Sequence, residues 1–139
     1  MWSGREKFES DGYTTDLITD DAIAFIRQHQ ESPFFLYLSH AAPHFPFQGP
    51  DDRSKIVEPK KKSWQLGDRE TYIAMVEHMD QRIGDVLAVL DESNLRETTL
   101  VVFSSDNGGD IHARNAPFTG GKSSIEEGGI RVPCMARWP

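Results

Sequence analysis

The run Val101-Val102-Phe103-Ser104-Ser105-Asp106-Asn107-Gly108-Gly109 constrains the fold more than any other part of the chain. It opens on apolar β-branched and aromatic residues, the composition of a buried strand, and closes on a carboxylate, a carboxamide and two glycines. Polar chemistry therefore sits where the strand stops. In open α/β sheets ligands bind in the crevice beyond the carboxyl ends of strands, where the backbone turns sharply. Asp106 and Asn107 offer hard oxygen donors, one charged and one neutral, which suits Ca²⁺ or Mg²⁺ better than a soft metal. The same residues also satisfy an Asx-type turn, because Asp, Asn and Gly are common turn formers. The remainder of the chain decides between these readings.

A helix is predicted from Thr15, ending before Pro33, with Leu17, Ile18, Ala22, Phe25 and Ile26 on one face. Thr15 or Asp16 can cap its start, and Asp20 and Asp21 lie in early turns that favour negative charge. Phe34-Phe35-Leu36-Tyr37-Leu38-Ser39 follows as a near-continuous apolar run of strand length, expected to be covered on both faces. This second strand also ends in polar residues, His40-Ala41-Ala42-Pro43-His44. Residues 45–67 carry Pro46, Gly49, Pro50, Pro59 and Gly67 and form a long aperiodic connection. Tyr72, Val76, Met79, Ile83, Val86 and Leu90 then alternate at intervals of four and three, an amphipathic helix from about Arg69 to Ser93. Asn94 suits the left-handed residue that closes a helix, with Leu95 folding back on the last turn. Thr98 to Ser105 supplies the strand first described, and Arg131 to Trp138 reads as another, interrupted by Pro133. The order helix, strand, helix, strand predicts an α/β fold, a sheet sandwiched by helices.

Composition narrows the function. The formal charge of −7 argues against a nucleic-acid partner, and the one basic cluster, Lys60-Lys61-Lys62, reads as a solvated loop. No apolar run approaches the roughly 20 residues that span a bilayer, so no membrane segment is expected. The single cysteine, Cys134, excludes an internal disulfide and a cysteine-based zinc site. Residues 1–12 are polar and without period, an exposed or poorly ordered lead-in that carries no secretion signal. The chain thus reads as intracellular or as lacking its own beginning.

The candidate strand ends carry His40, His44, Asp106 and Asn107, and a lysine follows glycines at Gly120-Gly121-Lys122. A cation, a histidine and a lysine around one crevice make an anion site. The cation polarises an anionic ester, while Lys122 and a protonated His44 neutralise oxygens and can donate a proton to a leaving group. His29 and His78 lie within predicted helices and His112 lies in a loop, so none of the three is assigned a role. Ala116 to Ser123 meets a relaxed phosphate-loop pattern. That pattern needs a strand directly before it and a helix directly after, and neither is predicted, because Asp110 to Asn115 is not strand-like and Gly128-Gly129 stops a helix.

Taken together, these segments resemble the type I sulfatases of the alkaline phosphatase superfamily. The resemblance runs from about Gly12 to Pro139. It rests on Tyr13-Thr14-Thr15-Asp16 with Ala22 to Ile26, on Pro33 to Leu38 leading into Ala42-Pro43-His44, and on Tyr72 with Met79-Asp80 and Ile83-Gly84. Its most specific parts are Ser105-Asp106-Asn107-Gly108, Gly121-Lys122 and Glu127-Gly128-Gly129-Ile130-Arg131-Val132-Pro133. The resemblance implies an alkaline-phosphatase-like core, in which Asp106 and Asn107 are calcium ligands while His44 and Lys122 contact the sulfate group of a sulfate ester. A periplasmic, secreted or lysosomal location is implied in the same way, and the oligomeric state is left open.

The chain departs from that pattern at two places. The sulfatases it resembles use a Cys-x-Pro-Ser-Arg cysteine, oxidised to formylglycine, as nucleophile, and this chain has no such motif. Cys134 is followed by Met135, Ala136 and Arg137 in a terminal strand, where it is expected to pack as a small apolar residue rather than to attack. Residues 1–139 are accordingly expected to be part of a catalytic domain, without the upstream nucleophile segment and the C-terminal portion, and inactive alone. Thr119 also stands where relatives often have arginine. The competing functions are a phosphoric or phosphonic ester hydrolase of the same superfamily and a non-catalytic ion-binding domain.

Overall fold

Helix α1 spans Thr14–Gln28, and its buried residues Thr15, Thr19, Ala22 and Ile26 recur at intervals of four, three and four, the stripe that one helix face presents. Ala22 and Ile26 were expected there. Leu17, Ile18 and Phe25 are only half-buried, and two threonines take interior positions instead. Thr19 is accommodated because its hydroxyl donates to the Thr15 carbonyl at 2.8 Å, so no polar atom is buried unpaired. Neither expected cap operates. Tyr13 is the N-cap residue and makes no side-chain cap bond, Thr15 is buried, and Asp16 is bonded across to the second helix. At the other end His29 closes the helix, its ring stacked on Phe25 at 4.2 Å and its Nδ1 donating to the Phe25 carbonyl at 2.8 Å.

The computed structural model describes residues 2–7, 10–52 and 67–138, which divide into two compact units, Met1–Val89 and Leu90–Pro139. In the first unit α1 is met by α2, Arg69–Glu92, which continues past the boundary. Asp68 starts α2 by accepting the Thr71 N–H at 2.7 Å. His78 and Arg82, one turn apart on α2, face Asp16 and Asp20, one turn apart on α1. His78 Nε2 lies 2.6 Å and Arg82 Nε 3.4 Å from Asp16 Oδ1, and Arg82 also binds Asp20 and, at 2.7 Å, Asp85. The Tyr13 ring meets His78 edge-on at 5.3 Å, and its hydroxyl donates to the Gln48 carbonyl at 3.0 Å. Burial is the main cause that pushes the Tyr13 phenol pKa up.

Two expectations for the first unit are corrected. The lead-in contains a short antiparallel hairpin, β1 (Trp2–Ser3) with β2 (Glu6–Lys7), where no element was predicted. Phe34 to Ser39 enters no ladder among the described residues, and its exposure alternates rather than vanishing on both faces, with Phe35 87% and Tyr37 78% exposed. A strand exists only through a partner's backbone groups, and composition cannot supply the partner. Lys60-Lys61-Lys62 and most of the 45–67 connection lie outside the described residues.

The second unit opens on the end of α2. Asn94 adopts φ 57°, its N–H bonds the Asp91 carbonyl at 3.1 Å, and the Leu95 N–H reaches back to the Leu90 carbonyl at 2.8 Å. That pair of bonds is the expected left-handed closure. A 3₁₀ turn at Arg96–Thr98 precedes β3, Val101–Ser104, which pairs antiparallel with β4, Cys134–Arg137, in the register Val101↔Arg137 to Ser104↔Cys134. Both strands are shorter than predicted, and β3 is not buried on two faces: Val101 and Phe103 are half-buried, and Val102 is 59% exposed. A four-residue helix, α3 (Glu127–Ile130), lies between them in sequence. No helix among the described residues is long and apolar enough to cross a membrane.

Candidate functional site

The chain leaving β3 turns at once. The Ser105 hydroxyl donates to the Asn107 carbonyl at 2.9 Å, and the Gly108 N–H reaches the Gly129 carbonyl at 2.9 Å. Asp106 is exposed and Asn107 half-buried, and the Asp106 carboxylate forms no ion pair among the described residues. Residues 109–126 fold back over this turn. The Lys122 N–H donates to the Gly109 carbonyl at 3.1 Å, and the Gly128 N–H to the Thr119 carbonyl at 2.7 Å. Asp106, Asn107 and Lys122 are thereby carried on backbone segments bonded directly to one another.

Two glycines make this closeness possible. Gly120 has φ 81°, a conformation that side-chain-bearing residues rarely adopt. A Cβ on Gly121 would stand 2.8 Å from the Gly109 carbonyl oxygen and 2.9 Å from Asn115 Nδ2, so only glycine lets the lysine's loop lie this near. The Lys122 side chain is half-buried, and its ammonium forms no ion pair among the described residues. A single cation in that state is suited to neutralising an anion.

His44 belongs to the first unit, in a turn closed by its own N–H on the Ala41 carbonyl at 2.9 Å. Its Nδ1 lies 2.7 Å from the Phe45 carbonyl oxygen. A carbonyl can only accept, so Nδ1 carries a proton and Nε2 is the nitrogen left to give or take one. The ring packs on Phe45 at 4.2 Å and is exposed. His40 is half-buried with neither ring nitrogen hydrogen-bonded; burial first, and the nearby Arg82 charge second, hold its pKa below the ordinary histidine value.

Several readings are revised at this level. Cys134 lies in a strand, as expected, but is exposed rather than packed. The hydroxyls of Thr19, Thr98, Ser104, Ser105 and Ser124 bond backbone carbonyls or Glu126 rather than a histidine, a common activating partner for a nucleophile. Ala116 to Ser123 is neither preceded by a strand nor followed directly by a helix, so the phosphate-loop pattern lacks its context. His78, given no role from sequence, is bonded to Asp16 in a polar groove that Asp20, Arg82 and Asp85 also line, where carboxylates outnumber the one arginine. Asn115 was also passed over. Nothing in the local sequence separates it from other loop asparagines, and only its contacts do.

Asp106 and Asn107 fit a hard divalent cation in kind, one anionic and one neutral oxygen donor at a single turn. They do not complete a site, because no group of three or more His, Cys, Asp or Glu residues arranged to hold a metal occurs among the described residues.

A partly buried lysine and hard oxygen donors on interlocked glycine loops, in an α/β chain, are suited in kind to an anion beside a hard cation. The family described as Sulfatase matches residues 2–139, and the chain belongs to that family. Among its relatives, the steryl-sulfatase of Mus musculus is 37% identical over 138 residues, covering 92% of this chain and 20% of that protein. The N-acetylgalactosamine-6-O-sulfatase of Bacteroides thetaiotaomicron is 31% identical over 154 aligned positions, covering 100% of this chain and 28% of that protein. A crystal structure of Ps i-CgsB in complex with k-i-k-neocarrahexaose superposes with a TM-score of 0.81 at 38% identity, over 98% of this chain and 30% of that one. The chain therefore spans less than a third of each of these three proteins. The fold class is α/β, a partial alkaline-phosphatase-like core. Family membership points to a metal cofactor in general.

Proposed function

We propose that the protein carrying this chain is a calcium-dependent sulfuric ester hydrolase, and that residues 1–139 supply part of its catalytic domain. The observation that supports this reading is the backbone bond from Lys122 to Gly109, which ties the loop of a half-buried lysine to the segment that follows Asp106 and Asn107. Asp106 and Asn107 would hold Ca²⁺, which when bound polarises the oxygens of an anionic ester. Lys122 neutralises charge on the sulfate group. The sulfatase resemblance assigns His44 a contact with the sulfate group, and with Nδ1 committed to Phe45 it would use Nε2 for that role. The nucleophile, a formylglycine, and further acidic ligands would come from upstream of residue 1, with more of the domain following residue 139. The substrate is a sulfate ester, and a periplasmic, secreted or lysosomal location accords with the family.

The test is hydrolysis of an aryl sulfate by the intact protein. Lys122→Ala and His44→Ala should each lower kcat/KM on the order of 10²-fold or more, the scale for losing a preorganised charge contact. A preference for aryl phosphate or phosphonate would move the assignment to the sister hydrolases. An intact protein that binds calcium but hydrolyses none of these esters would instead be an ion-binding domain.

A further inference from the structure

We propose that Asn115 is a positioning residue: its carboxamide ties the Asp106–Asn107 turn to the loop of Lys122 and so sets the spacing between lysine and metal ligands. Asn115 Oδ1 accepts the Gly109 N–H at 2.9 Å, and its Nδ2 donates to the carbonyls of Gly109 at 2.9 Å and Gly120 at 3.3 Å. The orientation of the amide follows from these partners, because the flipped group would set a donor against an N–H and an acceptor against two carbonyl oxygens. One side chain thus holds both backbone groups of Gly109, two residues after Asn107, and the carbonyl of Gly120, two residues before Lys122.

The fit is specific to asparagine. Aspartate keeps the acceptor for the Gly109 N–H but loses the donor and places negative charge against two carbonyl oxygens. Glutamine is one methylene longer, and Gly121 already lies against Nδ2, as the 2.9 Å approach of a hypothetical Cβ there shows. Around it the Lys122 N–H to Gly109 bond forms a second tie between the same loops. With both in place the Lys122 backbone is held beside Gly109. With Asn115 removed, the one direct bond left between the two loops is Lys122 N–H to Gly109, beside the indirect ties of Gly108 to Gly129 and Gly128 to Thr119, and the glycine-rich segments have much conformational freedom. Asn115 touches neither an ester nor a metal in this account, and it acts through Lys122, Asp106 and Asn107.

The inference rests on the proposed hydrolase for its catalytic consequence but not for its structural one, and the experiment reads them separately. In the intact protein, Asn115→Asp and Asn115→Ala should lower kcat on aryl sulfate by about 10-fold or more while KM changes less than about threefold, because misplaced charge weakens the transition state more than the ground state. Ala22→Gly in α1 serves as a stability control, since it loosens a helix of the first unit and this loop belongs to the second; it should lower the melting temperature and leave kcat within about twofold. Hydrogen exchange is the second arm. The Gly109 and Lys122 amides should exchange about 10-fold or more faster in both Asn115 variants and be unchanged in Ala22→Gly. Normal kcat with unchanged exchange at Gly109 and Lys122 would overturn the proposal, as would a kcat loss matched by Ala22→Gly. If the wild-type protein hydrolyses no sulfate ester, the hydrolase reading fails, and the exchange arm alone decides whether Asn115 sets the loop spacing.

Discussion

His40 sits half-buried with both ring nitrogens unpartnered and Arg82 nearby, so its environment disfavours the imidazolium. Its folded pKa therefore lies below the unfolded value, and on acidification the unfolded chain takes up the proton first. The resulting loss of stability begins as pH falls through about 6.5, the ordinary histidine value, and levels off beneath the lowered folded pKa. A His40→Gln variant cannot titrate there. In urea denaturation at pH 8 and pH 5, the wild type should lose stability relative to His40→Gln at the lower pH; an unchanged difference would remove the argument. His44, four residues on, carries the opposite lesson, since its Nδ1 has found a carbonyl and its Nε2 is left for chemistry. From sequence the two histidines are alike in type and both follow an apolar run. Asp106, Asn107 and Lys122 could be nominated from the sequence because residue type and motif context both mark them. Asn115 could not, because its role lies in three hydrogen bonds to glycine backbones that no spacing rule encodes.

At the scale of elements, the two long helices were legible because each carries its signal within itself. The α2 pattern and its closure at Asn94 and Leu95 are local, depending on residues within one turn of each other. Asn94→Ala should cost about 1 kcal/mol, the penalty of a left-handed conformation for a residue with a Cβ and no local side-chain bond, whereas Asn94→Gly should be neutral or slightly stabilising. Thermal or urea melts of the two variants check this, and equal stability would show that Asn94 is not under conformational selection. The strands were less legible. Phe34 to Ser39 and Val101 to Ser104 have similar apolar composition, yet among the described residues only the second is paired, with Cys134–Arg137. Composition reports a willingness to pair, and the ladder is made by a second segment. The face of α1 was misjudged for a related reason: Thr15 and Thr19 are interior because Thr19 bonds the backbone one turn back, which lowers the cost of burying a hydroxyl.

For the whole molecule, the count of donors governs what 139 residues can do. Asp106 and Asn107 fall well short of the roughly six to eight oxygen ligands that calcium takes, so the purified chain should bind Ca²⁺ only weakly. It should also hydrolyse aryl sulfate no faster than its own Lys122→Ala variant, because charge stabilisers without an activated nucleophile leave only residual catalysis. Calorimetry and a chromogenic assay measure both, and submicromolar calcium affinity lost on Asp106→Ala, or turnover lost on Lys122→Ala, would show a site more complete than the one described. Sequence by itself determined the α/β class, the spans of both long helices, the left-handed closure at Asn94 and the kinship carried by Ser105 to Gly108, Gly121-Lys122 and Glu127 to Pro133. These follow from short-range periodicity and from residue types whose chemistry travels with them. Only the tertiary structure decided which apolar runs pair, which of two neighbouring histidines finds a backbone carbonyl for Nδ1, and that Asn115 joins the lysine loop to the Asp106–Asn107 turn. Each of those depends on backbone groups brought close by folding, and a backbone N–H or carbonyl is the same at every non-proline position of the sequence.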